Sequence, residues 1–275
     1  ARVGWVLVRE GVVSALPTEG LPPLARTAHA FAGLFERRKA TRKDRSDRLA
    51  RAVERLGPSY VKMGQFLATR PDVVGAEIAV DLSALQDRMA TFPRADAVAT
   101  VEGSLGRPLD DLYVSFDDPI AAASIAQVHP AIVRDANGER RVAVKVIRPG
   151  VRQRFAHDLE AMYAAAHLQE KMLPNTRRLK PVEVTRTLEQ TTKVEMDLRL
   201  EAAALSELGE NTKDDPGFRV PTVDWERTGR DVVTIEWIDG TKMSDVEGLR
   251  AAGFDLDQLA DTLIQSFLRH TLRDG

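Results

Sequence analysis

The sequence contains no cysteine. Disulfide bonds, thiolate catalysis and metal sites built on thiolates are therefore excluded. The five histidines lie at positions 29, 129, 157, 167 and 270, without an i,i+4 pair or any other metal-ligand spacing, so no metal site is predicted. The net charge of −2 gives no reason to expect a nucleic-acid partner, and no zinc-finger, helix-turn-helix or RNA-binding motif is present.

Long hydrophobic runs are also missing. The longest one near the start, Val3–Val8, is followed at once by Arg9 and Glu10. It is far shorter than the ~20 apolar residues that cross a bilayer, and it is not built like a signal peptide. We expect a soluble chain. Because it begins at Ala1 and stops at Gly275 without a tail, we also expect it to be a piece of a longer protein.

The most informative stretch is Pro119–Arg148. Two runs suited to β-strands, Ile125–Val133 and Arg141–Ile147, flank an Asn137-Gly138 step. Asn-Gly between such runs is a strong hairpin signal, because both residues tolerate positive φ. Pro130 inside the first run lacks a ladder donor and favours an edge position or a bulge there.

The second strand of this hairpin is apolar on both faces except for Lys145. A lysine buried on both sides loses hydration, so its ammonium would need an anionic partner. The small-residue loop Ala121-Ala122-Ala123-Ser124 precedes the hairpin and would let backbone approach a ligand closely. Small loop, hairpin and a lysine in Val142-Ala143-Val144-Lys145 follow the order of a kinase N-lobe. An ordinary hairpin with a surface lysine is the alternative.

A kinase N-lobe also needs a helix carboxylate for that lysine and a hinge for adenine. A long helix predicted over Pro181–Leu208 carries Glu195, Asp197 and Glu201. On an ideal helix Asp197 and Glu201 share a face, whereas Glu195 and Asp197 point nearly opposite ways. A solvated charged face is the plain alternative for these three acids.

Two more strands are predicted near Phe218–Val223 and Asp231–Ile238. The second ends in a polar turn, where a kinase hinge would present its backbone to adenine. The carbonyl of Glu236 and the amide of Ile238 would then be the adenine contacts.

Two helical patterns complete this outline. Phe155, Leu159, Met162, Tyr163 and Ala166 follow the spacing of one buried helix face. Between Arg37 and Arg51 eight Lys or Arg stand against two Asp. This basic run is explained by a solvated helix face or by attraction to anionic lipid.

These motifs resemble those of the bacterial branch of the UbiB family, atypical kinase-like proteins associated with ubiquinone biosynthesis. Four motifs in order carry the resemblance: Lys62-Met63-Gly64-Gln65, Ala121-Ala122-Ala123-Ser124, Val142-Ala143-Val144-Lys145, and Glu195-Met196-Asp197 followed by Glu201. The sequence around the first motif, GPSYVKMGQFLATRPD, also resembles the sequences of that branch.

The resemblance implies an α+β fold: a kinase-like N-lobe with an antiparallel sheet and long helices, a helical N-terminal extension, and the first C-lobe helices. The implied domains are residues 1–107 for the extension, 108–240 for the N-lobe with inserted helices, and 241–275 for the incomplete C-lobe. Lys145 and Glu201 would form the nucleotide-binding ion pair. Lys62 and Gln65 would reach into the active site, with Glu195 and Asp197 engaging Lys62.

Binding of ATP or ADP follows from the same resemblance, with Ala143 and the alanine loop beside the nucleotide. Alanine is strained at positive φ where glycine is not, so the loop should be stiff and suit an ATPase or small-molecule kinase. The family's catalytic loop and its Mg²⁺-binding Asp would follow Gly275, so we expect Mg²⁺ only with a missing C-terminal part and no activity from this piece alone.

The implied setting is the cytoplasm, peripheral to the inner membrane, with the longer protein anchored by a segment absent here. Anionic or quinone lipid and other ubiquinone-synthesis proteins would be the partners. The rival interpretation is a non-catalytic module that responds to nucleotide or lipid and regulates a quinone-synthesis assembly. A purely structural helical scaffold is the third.

Overall fold

A computed structural model of the chain describes residues 2–10, 45–83, 89–136, 138–172 and 174–274. The part of the basic run that precedes position 45 lies outside these residues, and so does Asn137 of the hairpin turn. The chain forms two compact units. Unit 1 contains residues 1–93, 121–127 and 147–196, and unit 2 contains 94–120, 128–146 and 197–275. The three domains expected from the sequence stay a prediction.

Unit 1 is built mainly from helices. In chain order they are α1 (Arg2–Arg9), α2 (Arg45–Leu56), α3 (Pro58–Ala68), α4 (Pro71–Val74), α5 (Ala76–Ser83), α8 (Val151–Met172), a 3₁₀ turn (Pro174–Leu179) and α9 (Pro181–Glu195). The short strand β2 (Ala121–Ala122) also belongs to it. Helix α3 packs against α2, α5 and α8, and α8 packs along α9.

The predicted apolar stripe forms the buried face of α8. Phe155, Leu159, Met162 and Ala166 are all buried. Tyr163 differs, because it is half-buried and its hydroxyl donates a hydrogen bond of 2.6 Å to Glu189 on α9. The stripe is therefore core except for one residue with a polar partner.

Unit 2 carries most of the sheet. Its elements are α6 (Arg94–Leu105), α7 (Leu109–Leu112), β1 (Ser115–Phe116), β3 (Ala126–Asp135), β4 (Gly138–Ile147), α10 (Leu198–Asn211), a 3₁₀ turn (Trp225–Arg227), β5 (Val232–Glu236), α11 (Val246–Ala251), α12 (Leu256–Arg269) and a π-helical turn (His270–Asp274). The part of β3 before residue 128 and the part of β4 after residue 146 belong to unit 1. The sheet order is β1-β3-β4-β5, with β2 pairing to β3. Helices α6 and α10 pack against β5.

Strand β4 is buried along one face, and its other face is buried only at the end of the strand, at Ile147. Val142, Val144 and Val146 are fully buried, whereas Ala143 and Lys145 on the other face are half-buried. The strand pairs antiparallel with β5, with Lys145 opposite Val233. The expectation that both faces are buried is thus wrong, and the open face is the one that carries the lysine.

Two strand predictions need correction. Phe218–Val223 forms no strand, and its pairing with β5 is an isolated bridge between Val223 and Ile235. Pro221 within that stretch has no N–H to donate to a ladder. The edge position predicted from Pro130 is wrong, since β3 lies between β1 and β4, and the alternative of a bulge stays a prediction. Pro130 lies just outside the part of β3 that pairs with β1, and its carbonyl accepts a hydrogen bond from the Asp117 amide at 2.9 Å.

The long helix expected over Pro181–Leu208 is two helices. Helix α9 ends at Glu195, and α10 begins at Leu198 with Asp197 as its N-cap. The Asp197 backbone is extended, and its carboxylate accepts from the Arg199 amide. The Leu198 amide donates to the Arg230 carbonyl at 3.0 Å rather than to a helical carbonyl. Aspartate is a strong N-cap residue, which accounts for the new start at this position.

Within the described ranges, no helix is both long and apolar enough to pass through a lipid bilayer. The same residues include no group of three or more His, Asp or Glu side chains placed to hold a metal ion.

Candidate functional site

The first candidate cluster is an ion pair in unit 2. The Lys145 ammonium on β4 donates to both carboxylate oxygens of Glu201 on α10, at 2.8 and 2.7 Å. Glu201 is presented by the first turn of α10, while Leu198 and Ala202 on the same helix are fully buried. Burial of these two residues fixes the helix and therefore the position of its carboxylate.

This ion pair is not deeply buried. The side chains of Lys145 and Glu201 are 32% and 38% exposed. The predicted burial of Lys145 is therefore wrong, because around this residue only the valine face of β4 lies in the core. An ammonium at an open face is accessible to an anionic ligand, and Ala143 on the same face adds only a methyl group beside it.

The expected adenine contacts lie where β5 ends. The Glu236 amide donates to the Thr222 carbonyl at 2.8 Å, so the backbone polar groups of Glu236 face away from β4. Its carboxylate binds Arg219 at 2.7 and 2.8 Å, and this pairing holds the pKa of Glu236 below its usual value. Ile238, two residues further along, is exposed.

A second cluster lies in unit 1 on helix α3. Lys62 forms an ion pair with Glu195, the last residue of α9. The Lys62 side chain is 17% exposed and that of Glu195 is 36% exposed. The structure therefore places together the lysine and the first acid of the motif, as the resemblance implied.

Gln65 lies one turn after Lys62 and contacts the alanine loop. Its side-chain oxygen accepts a hydrogen bond from the Ser124 hydroxyl at 3.3 Å, and Ser124 is buried. The loop closes on itself, because the Ala123 amide donates to the Ala126 carbonyl at 2.8 Å. None of the four loop residues has a positive φ, so the loop uses only conformations that suit alanine.

Arg148 also holds this loop and was not predicted as a functional residue. Its guanidinium donates to the carbonyls of Ala90 and Ala123 at 2.9 and 3.4 Å, and its amide donates to the Ile125 carbonyl. Burial lowers the pKa of Arg148, with a smaller contribution from the charge of Arg154. An arginine directly after the lysine strand is the one sequence signal that could have identified it.

Gln127 makes a second unpredicted tie. Its buried side-chain amide exchanges two hydrogen bonds with the backbone of Phe92, at 2.9 and 3.2 Å. These two hydrogen bonds resemble those between paired β-strand residues, and they hold Phe92 beside the chain that follows the alanine loop.

Asp197 has a structural role that was not predicted from the sequence. Its carboxylate binds the Arg199 guanidinium at 2.9 and 2.6 Å and caps α10. The hydrogen bond with Arg199 is the main reason that the pKa of Asp197 is lowered. Asp197 thus serves the start of the helix that presents Glu201, and its expected engagement of Lys62 stays a prediction.

Comparisons with known proteins show which family this chain resembles. The model of the ABC1 atypical kinase-like domain matches residues 84–275. Proteins named "Probable protein kinase UbiB" from Marinobacter nauticus and Vibrio cholerae are 39% and 38% identical over all of this chain, and one from Cellvibrio japonicus is 39% identical over 82% of it. The chain covers 50%, 50% and 41% of those proteins, so it spans about half the length of the curated relatives it matches.

Among solved structures, the complex of Rv3197 with erythromycin from Mycobacterium tuberculosis is 28% identical, with a TM-score of 0.43. The match covers 80% of this chain and 53% of that one. The α+β kinase-like fold expected from the sequence is confirmed by the family match and the antiparallel sheet. The chain belongs to the UbiB family of ABC1 atypical kinase-like proteins.

Proposed function

We propose that this chain binds ATP or ADP in unit 2, as part of an atypical kinase or ATPase that supports ubiquinone biosynthesis. The observation that carries the proposal is the Lys145–Glu201 ion pair on the open face of β4. In kinases a strand lysine held by a helix carboxylate binds the α- and β-phosphates.

The donor set fits a nucleotide polyphosphate. A lysine ammonium has three donors, and Glu201 takes two of them, so one remains for a phosphate oxygen. Because the Lys145 ammonium donates to both oxygens of the Glu201 carboxylate, the carboxylate fixes the direction of the ammonium. Ala143 leaves space on the same face, and the Glu236 carbonyl and Ile238 amide are the proposed adenine contacts. Bound nucleotide would supply the phosphoryl group.

In unit 1 we propose that the loop Ala121-Ala122-Ala123-Ser124 offers backbone to phosphate and that Lys62, Gln65 and Glu195 position the reactive groups. The ties from Gln65 and Arg148 support a rigid loop. For the whole protein we propose Mg²⁺-dependent chemistry with catalytic-loop residues that these 275 do not supply. We further propose a cytoplasmic location at the membrane periphery, with anionic or quinone lipid and other ubiquinone-synthesis proteins as partners.

The test is calorimetric titration of the chain with ATP and ADP, with and without Mg²⁺. Lys145→Met should weaken binding by at least tenfold, or about 1.4 kcal/mol, because it removes the phosphate donor. Lys213→Met is the matched control, since Lys213 forms an exposed ion pair with Glu210 in the same unit. It should leave affinity unchanged.

Equal affinity in wild type and Lys145→Met would overturn the proposed role of the ion pair. Mg²⁺-dependent ATP hydrolysis by this chain would show that it needs no further catalytic residues. Full function of the parent protein after loss of its catalytic Asp would favour the non-catalytic regulatory module instead.

A further inference from the structure

We infer that unit 1 contains a binding site for an uncharged, largely apolar small molecule. A cavity of about 490 Å³ lies between helices α3, α4, α8 and α9 and the 3₁₀ turn before α9. All of its described lining residues belong to unit 1. The inference uses none of the residues proposed for nucleotide binding in unit 2.

The size of the cavity favours a ligand. Pockets that bind small molecules typically measure about 300–1,000 Å³. Protein interiors otherwise leave few voids larger than a water molecule. Ala161 and Ala165 line the cavity and are exposed, so it opens to solvent along this side of α8.

Part of the wall consists of apolar side chains that the fold leaves half-covered. Met63, Phe66 and Leu67 on α3 all line the cavity, and none of the three is fully buried. Large apolar side chains facing a common space gain free energy when an apolar molecule removes them from water. The lining therefore predicts a hydrophobic ligand body.

The polar groups in the lining are few. The Thr185 hydroxyl already donates to the Pro181 carbonyl at 2.9 Å. Gln169 also lines the cavity, and its side-chain amide can donate a hydrogen bond to a ligand or accept one from it. One polar group on the ligand, near Gln169, would complete the match.

The charge of the lining sets the ligand class. The described lining residues include no Lys, Arg, Asp or Glu. An ionised group carried into such surroundings would lose hydration without gaining a partner. The cavity therefore selects against fatty-acid anions and amines, and it favours neutral molecules such as long-chain alcohols.

The position of the cavity links it to the Lys62–Glu195 ion pair. Helix α3 carries Lys62 and helix α9 carries Glu195, and both helices form cavity walls. A bound molecule would contact both helices that hold this ion pair in place.

The experiment measures binding of the uncharged fluorophore N-phenyl-1-naphthylamine, which brightens in apolar surroundings. Ala165→Leu places a larger side chain into the cavity and should weaken binding about tenfold. Ala164→Leu is the matched control, because Ala164 is exposed on the neighbouring position of α8 and does not line the cavity. Its affinity should equal that of wild type. If Ala165→Leu fails to fold, Ala161→Leu on the same wall replaces it.

Competition with molecules of equal chain length tests the ligand class. 1-Decanol should displace the fluorophore, whereas decanoate and decylammonium should not do so at the same concentration. Absence of fluorophore binding to wild type would overturn the inference, and so would equal affinity of the Ala165→Leu and Ala164→Leu variants. Displacement by decanoate as effective as that by decanol would refute the assigned class.

Discussion

Replacing Lys145 by Met and Glu201 by Gln, singly and together, measures how strongly the ion pair of unit 2 stabilises the fold. A pair buried on all sides would cost about 3–5 kcal/mol on removal of one partner. The structure argues for less, because both side chains are about one-third exposed and water screens their attraction.

The expected coupling free energy is therefore about 1 kcal/mol, at the upper end for exposed pairs. The upper end is appropriate because two hydrogen bonds of 2.7 and 2.8 Å fix the geometry. Nucleotide affinity should fall by more than this, since the phosphate donor is lost outright. We thus expect the same variants to lose more free energy of nucleotide binding than free energy of folding.

Urea unfolding of the four proteins, followed by far-UV circular dichroism, gives the coupling through a double-mutant cycle. The same cycle on Lys213 and Glu210, an exposed ion pair in unit 2, supplies the reference value for such pairs. A coupling above about 3 kcal/mol would refute the reasoning, because it would mean that water does not reach the Lys145–Glu201 pair.

Two further changes test other parts of the structure. Burial lowers the pKa of His129, so its neutral form should stabilise the fold fully above about pH 6.5 and progressively less as the pH falls, by at most about 1.4 kcal/mol per pH unit. Urea unfolding between about pH 5 and 7 should show this loss in wild type and not in His129→Gln; parallel curves would contradict it. Asp197→Ala should cost about 1 kcal/mol by removing the N-cap of α10, whereas Asp197→Asn should cost much less. Equal unfolding midpoints for these two variants would rule out the capping role.

Local sequence signals were sufficient for some of the site. The hairpin was predicted from its apolar runs and Asn-Gly step, and the buried face of α8 from its spacing. The start of a helix at Leu198 could also have been predicted, because Asp197 is a strong N-cap residue. The hydrophobic pattern alone did not reveal that break, since apolar residues continue through it.

Other features depend on contacts between distant parts of the sequence. Arg148 reaches Ala90, 58 positions earlier, and Gln127 reaches Phe92, 35 positions earlier. No local pattern records such pairs, and none records the cavity, whose walls come from several helices. The exposure of Lys145 was missed for the same reason, because the residues that could cover a strand face lie elsewhere in the chain.

Because β4 is buried mainly on one face, the surroundings of Lys145 depend on the register in which this strand pairs. Side chains alternate between the two faces of a strand, so a shift of the β4 pairing register by one residue would exchange the faces. The ammonium would then enter the core and a valine would take its place beside Glu201. The pairing register of β4 therefore determines which side chain lies beside Glu201.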